Sequence, residues 1–167
     1  MADPFNLKHQ IIFEPIGIIY TPYESASGTP IQPTVANEPG TIILNPELEP
    51  GLQDLDGFSH IILLYFFDRI QQNKLLVTPF LDDTERGVFA TRAPVRPNPI
   101  GLSVVRLLKI EGNQIAFSGA DMLNNTPLLD IKPYVPIFEP ATVESFGWVE
   151  NQSKNLKNRK DDGRFLK

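Results

Sequence analysis

Apolar residues in this chain come in short runs, most of them alternating or rich in β-branched side chains. IIFEPIGIIY (11–20), TIIL (41–44), GVFAT (87–91) and LLDIKPY (128–134) each read as one extended strand. HIILLYFF (60–67) is apolar on both faces, which predicts a strand buried on both sides. Residues 102–119 (LSVVRLLKI, EGN, QIAFSG) spell a hairpin, two apolar runs joined by a glycine-containing turn. Helical periodicity is scarce: residues 45–55 and 150–160 predict one short turn each. Short strands without helical crossovers make a mainly all-β chain, an antiparallel barrel or sandwich.

Composition narrows the chemistry. The length of 167 residues suits one domain with a real core, and 16 prolines argue against a helical bundle. There is no cysteine, hence no disulfide and no thiolate chemistry. The only histidines, His9 and His60, lie far apart, so a His-rich metal site is ruled out and carboxylates alone are left as metal ligands; no metal dependence is expected. The first ten residues lack a basic stretch followed by an apolar run, so no signal peptide is read there. The longest apolar run, 61–67, is too short to span a membrane. A cytoplasmic protein is the expectation. No G-x-G spacing occurs, which removes the dinucleotide fingerprint.

The net charge of −5 disfavours a nucleic-acid partner until it is divided along the chain. Residues 86–109 carry Arg86, Arg92, Arg96, Arg106 and Lys109 and no acid. From Glu150 onward six cations, Lys154, Lys157, Arg159, Lys160, Arg164 and Lys167, stand against three acids. Segregation of this kind suits an anionic partner. The expected organisation is a barrel domain over 1–150 and a basic tail over 151–167.

Three polar stretches could carry chemistry. In PVRPNPIG (94–101), Pro97 and Pro99 fix φ and push Arg96 and Asn98 toward extended conformations, a stiff rail presenting a guanidinium and an amide. In LLDIKPYVP (128–136), a period of two puts Asp130, Lys132 and Tyr134 on one face. An acid, a base and a phenol together can bind a polar ligand and move a proton; an Asp–Lys surface pair is the plain alternative. ADMLNNTP (120–127) is turn chemistry in which Asp121 and Asn124 offer oxygens, and the apolar strand 60–67 ends in Asp68-Arg69.

The order of these pieces is more specific than any one of them. GVFATRAPVRPNPIGLS followed by NNTPLLDIKPYVP, with LDGFSHIILLYFF upstream and YTPYESASGTPIQP near the start, resembles the TsaA-like or TrmO-type family of S-adenosylmethionine-dependent tRNA methyltransferases. The resemblance covers residues 12–140 and implies a compact single-sheeted β-barrel. It also implies S-adenosyl-L-methionine as cofactor, bound near a homodimer interface. The implied reaction is methylation of N6 of threonylcarbamoyl-adenosine, next to the anticodon in threonine tRNA.

By the same resemblance, cofactor contacts come from Pro30, Ile31 and Gln32, from Asp68 and Arg69, from Arg92 and Leu102, and from Met122, Leu123, Asn124 and Asn125. The chain departs from the family in having Asp68 for a usual His and Asn124-Asn125 for a usual Asp-Gly. The extra C-terminal domain of longer bacterial members is expected to be missing. For the chemistry, Asp130 is the candidate base, with Lys132 and Tyr134 orienting carbamoyl or threonyl oxygens; Arg96 and Asn98 are candidates for binding the substrate's carboxylate or phosphates. Three rival readings are a non-catalytic RNA-binding barrel, a methyltransferase acting on another RNA or a small molecule, and a plain structural barrel. Against the first, Phe89 is the only aromatic inside the basic stretch 86–109.

Overall fold

The computed structural model describes residues 10–139, 142–151 and 159–166. His9 and the cations Lys154, Lys157 and Lys167 lie outside them, as does the part of the 150–160 turn beyond Asn151.

Among the described residues eight strands form: β1 (Gly17–Tyr20), β2 (Pro39–Leu44), β3 (His60–Phe66), β4 (Leu76–Val77), β5 (Arg86–Gly87), β6 (Ile100–Glu111), β7 (Gln114–Ser118) and β8 (Thr126–Pro133). Six close into one barrel in the order β1-β2-β7-β6-β3-β8, every pairing antiparallel. β4 and β5 make a small separate ribbon. All helical structure described is 3-10, including 46–52, inside the turn expected over 45–55, and 147–151, which precedes most of the range 150–160.

Strand alternation builds the interior. Ile19, Ile42, Ile61, Leu63, Val105, Ile115, Phe117 and Leu128 point inward and are fully or almost fully buried. The 102–119 hairpin forms as β6 and β7, with Gly112 at φ 56 in the turn between them. A smaller cluster, Val77, Val88, Ala93 and Val95, packs beside the barrel with Ile70 and Phe165 against it. Residues 159–166 therefore fold back on the domain. Lys160 bridges Pro30, Gly28 N–H donates to Asp161 O (2.8 Å), and Asp161 N–H donates to Thr29 O (2.9 Å).

Three strand expectations are corrected. The first strand begins at Gly17 rather than at 11, and Ile11, Ile12 and Phe13 are exposed. Pro15 has no N–H for a ladder, and pairing starts only past it, where Ile16 N–H meets Leu128 O at 2.8 Å. GVFAT gives no full strand: Arg86–Gly87 pairs with β4, and Val88–Ala90 is a 3-10 turn. The 60–67 strand is buried on one face only. Ile61, Leu63 and Tyr65 are inside, whereas Ile62 and Leu64 are half-buried and Phe66 is exposed on the outer wall.

Two glycines make room for rings inside the barrel. A Cβ on Gly40 would collide with the Phe117 ring, and one on Gly101 with the Tyr65 ring. Gly101→Ala should therefore lose about 1–3 kcal/mol in urea unfolding, the usual cost of overpacking. Gly51→Ala, which would meet nothing within 4 Å, should change stability by less than about 0.5 kcal/mol. Equal stability of the two variants would mean that the Tyr65 ring moves aside without cost.

Candidate active site

One end of the barrel is polar. Tyr65, inward on β3, places its hydroxyl 3.0 Å from Ser103 Oγ on β6, and Ser103 Oγ donates to Asp121 Oδ1 at 2.7 Å. Burial drives the Tyr65 phenol far above its ordinary pKa, and the nearby Asp121 charge adds to this. Asp121 keeps some exposed surface, but protein surrounds its carboxyl. Burial pushes the pKa up to about 7, although the Ser103 hydrogen bond and the Arg92 charge oppose the shift. Tyr23 is raised as well, first by burial and then by the charges of Glu38 and Asp121.

Two loops are bound together over this end. Asn124 accepts from Thr21 N–H (3.1 Å), donates through its own N–H to Tyr23 O (2.7 Å) and through Nδ2 to Glu24 Oε1 (2.7 Å). Thr21 Oγ1 donates to Met122 O at 2.9 Å. Arg69 spans the seam, donating from Nη1 to Glu24 O (3.0 Å) and from Nη2 to Asn124 O (2.7 Å). Asn125 takes φ 63, the left-handed region that a glycine would fill and that Asn tolerates. The Asn124-Asn125 departure therefore keeps the turn.

Beside the barrel end lies a cleft of about 590 Å³ whose lining includes Ile31, Gln32, Arg92, Phe80, Phe89 and Trp148. Arg92 Nη1 donates to Gln32 Oε1 at 3.2 Å, so the 30–32 loop and the segment before the proline rail meet at its mouth.

The residues singled out in the sequence thus fall into groups. Ile31, Gln32 and Arg92 share the cleft, and Pro30 next to them is pinned by Lys160. Arg69, Leu123 and Asn124 sit at the looped seam with exposed Asp68 and Asn125 beside it. The Met122 side chain is buried in the core. Leu102 is exposed on the outer wall opposite Leu64.

Asp130, Lys132 and Tyr134 do share a face, as the period of two requires, but it is the outer wall of β8. Lys132 Nζ pairs with Asp130 Oδ2 at 2.7 Å, and the Tyr134 ring sits edge-on to His60 with centroids 6.5 Å apart. His60 and Tyr65 are at opposite ends of β3, about 17 Å apart at ordinary strand rise. Within one chain, Tyr134 and the Asp121 group are therefore separate.

The proline rail is bent. Arg96 N–H donates to Pro94 O (2.9 Å) and Ile100 N–H to Asn98 O (2.8 Å), three-residue turns that replace the expected extended run. Arg96 Nη1 bonds the carbonyls of Thr91 (3.1 Å) and Ala93 (3.2 Å), and Asn98 is exposed.

Ser103 and Tyr65 escaped the sequence reading because they sit in apolar strands. The available signal was a hydroxyl at an inward position, between Gly101 and Val105. Among the described residues no group of three or more His, Asp or Glu side chains could hold a metal ion, and no helix is long and apolar enough to cross a membrane.

Known proteins resemble this chain in sequence and fold. Over 161 residues the chain is 48% identical to a probable S-adenosyl-L-methionine-binding protein of Pyrococcus abyssi, covering 96% of this chain and 88% of that one. It is 36% identical to the rat tRNA (adenine(37)-N6)-methyltransferase over 95% of this chain, but only 37% of the rat protein is covered. The crystal structure of TrmO from Pseudomonas aeruginosa superposes with a TM-score of 0.68 at 37% identity, over 82% of this chain and 61% of that one. Residues 18–139 match the family model for the tRNA-methyltransferase O N-terminal domain, and the chain belongs to that family.

Proposed function

We propose that this chain is an S-adenosylmethionine-dependent tRNA methyltransferase whose acceptor is N6 of threonylcarbamoyl-adenosine next to the anticodon, in threonine tRNA. The observation that carries the reading is the contact between Arg92 and Gln32. It joins segments sixty residues apart at 3.2 Å beside the Asp121 group, and both segments are ones for which the family resemblance implies cofactor contact.

The donor set suits the cofactor. Arg92 can pair with its carboxylate, Asp68 and Asp121 can face its cationic ammonium and sulfonium ends, and the amides of Gln32, Asn124 and Asn125 can bond its hydroxyls and base. When bound, the cofactor supplies a methyl group on a sulfonium that needs little further activation. The protein's contribution is alignment and proton removal. Arg69 acts by holding the 21–24 loop to the 123–125 turn, which fixes the wall of the site. Arg96 commits Nη1 to two carbonyls, leaving its Nε–Nη2 edge for a substrate carboxylate or phosphate. Asn98 stands exposed nearby.

Asp130 acts as the base in this reading, with Lys132 and Tyr134 orienting substrate oxygens, and these residues reach the acceptor from a second copy of the chain. An uncovered apolar face supports the homodimer. Ile62, Leu64 and Phe66 of β3 run beside Ile100, Leu102 and Val104 of β6 on the outer wall, half-buried or exposed, with Asp130 and Lys132 on the adjoining strand. The cytoplasm is the compartment such a substrate implies.

Three outcomes are expected. Calorimetric titration should show saturable S-adenosylmethionine binding that weakens at least about tenfold in Arg92→Ala, the scale of one lost charge-assisted pair. Threonine tRNA carrying the threonylcarbamoyl base should gain one methyl group by mass spectrometry. Cofactor binding without transfer to any tRNA would instead favour a non-catalytic barrel.

Second, Leu64→Arg, whose charge can meet Asp130 across the ladder, should stay folded yet be monomeric by light scattering and inactive. Asp130→Asn should remain dimeric and lose transfer. A monomeric wild type, or an active Asp130→Asn, would remove the partner-supplied base.

Third, Asp121 links stability to pH. Its raised folded pKa means that the native state keeps a proton the unfolded chain has lost. Stability should fall as pH climbs from about 4 to about 7 and level off above. Asp121→Asn should flatten that slope in urea unfolding; an unchanged slope would place its origin elsewhere.

A further inference from the structure

The aromatic part of the cleft has no role in the reading above. Phe89 is 76% exposed and Phe146 is 65% exposed, both on its lining. Their exposure is not slack. Phe89 sits on the 3-10 turn Val88–Ala90, whose neighbours Val88 and Ala93 are anchored in the smaller core. Thr91 closes the turn on Val88 O through N–H (3.1 Å) and Oγ1 (2.9 Å), and Arg96 holds the carbonyls of Thr91 and Ala93. The backbone is braced and the ring is held out.

Other parts of the lining are fixed as well. Trp148 Nε1 donates to Ala90 O at 2.8 Å, and the Arg86 guanidinium lies 5.7 Å from the Trp148 ring centroid. Arg86 is itself held by Asp82 through Nη2 (2.6 Å) and Nε (3.0 Å). Phe80 and Phe165 stack edge to face with centroids 4.9 Å apart. Among the described residues lining the cleft there is no acid, and the one charged side chain is Arg92. Phe146, Trp148 and Phe165 all come from beyond residue 139, where the family match ends.

We propose that this cleft is a stacking site for an unpaired base of the RNA substrate, with Phe89 and Phe146 as the platforms. The inference rests on the tRNA reading and extends it to how the loop is held. Flat exposed rings in an acid-free cleft, that of Phe89 on a braced turn, suit a planar base on an anionic backbone. The Arg96 edge left open beside Thr91 and Ala93 meets the phosphates, and Thr34 offers a hydroxyl to a base edge. Single-stranded loops present such splayed bases, and every base offers a face to stack.

The test is a fluorescence titration of threonine tRNA into wild type, Phe89→Ala, Phe89→Leu, Phe89→Trp and Phe146→Ala, with S-adenosylmethionine affinity measured alongside by calorimetry. Phe89→Ala and Phe146→Ala should each weaken tRNA binding roughly 5- to 100-fold, the range for one lost base stack. Phe89→Leu should be as weak as Phe89→Ala, and Phe89→Trp should restore binding, because only a flat ring stacks. Cofactor affinity should stay within about twofold throughout, well inside the factor of ten that 1.4 kcal/mol represents.

Wild-type tRNA affinity in Phe89→Ala, or full affinity in Phe89→Leu, would overturn the stacking site while leaving the tRNA reading intact. A fall in cofactor affinity with tRNA affinity unchanged would assign the cleft to the cofactor instead. No tRNA binding by the wild type would defeat the tRNA reading, and this inference with it.

Discussion

Everything at the candidate site depends on β8 pairing with β1 along one edge and β3 along the other. That double pairing turns a curled sheet into a closed barrel without free edges among its six strands. Closure brings two demands. The interior must be filled, and the rings of Phe117 and Tyr65 fill it by lying over Gly40 and Gly101. The ends must also be sealed. At one end the seal is polar, Tyr65 to Ser103 to Asp121, with each buried side-chain atom partnered. A fully satisfied buried network of this kind specifies a single arrangement. The bulge on β8, where Leu129 is left between the pairs Leu64–Asp130 and Tyr65–Leu128, turns Asp130 and Lys132 outward while Leu128 stays inside.

Local rules made the barrel legible. Period-two burial, a hairpin with a glycine turn, and the scarcity of helical periodicity gave most strands close to their observed places. They failed where a local rule met a long-range one. The run 11–13 is as apolar as any strand, but Pro15 interrupts the ladder before it reaches them. GVFAT is rich in strand formers, yet Val88 is drawn into the smaller core with Val77 and Val95, and the chain turns after Gly87. The proline rail bends where the sequence predicts an extended run, since carbonyls two residues back capture the N–H groups of Arg96 and Ile100.

The site was legible only where a motif carried it. Gln32 and Arg92, or Arg69 and Asn124, cannot be paired by spacing, because their contacts arise from barrel closure. The basic stretch 86–109 holds only Phe89, whereas the fold gathers Phe80, Phe146, Trp148 and Phe165 on the same cleft from three other segments. The two departures from the family pattern have unequal meaning. Asn125 keeps the left-handed backbone and Asn124 ties down the 21–24 loop, so that change is accommodated locally. Asp68 is exposed and adds a negative charge beside Arg69, so that change alters the electrostatics.

The pairing of residues 28–30 with 160–161 gives the molecule a thermodynamic link between distant parts of its chain. The 30–32 loop cannot detach without breaking the backbone bonds of Gly28 and Asp161, and residues 160–166 cannot peel away without withdrawing Phe165 from the smaller core. Any ligand that holds the loop therefore also holds the segment after residue 159, and its binding free energy is added to the cost of opening both. In hydrogen-exchange terms, the amides of Gly28 and Asp161 belong to one opening unit, and a ligand bound at Gln32 slows exchange at each of them.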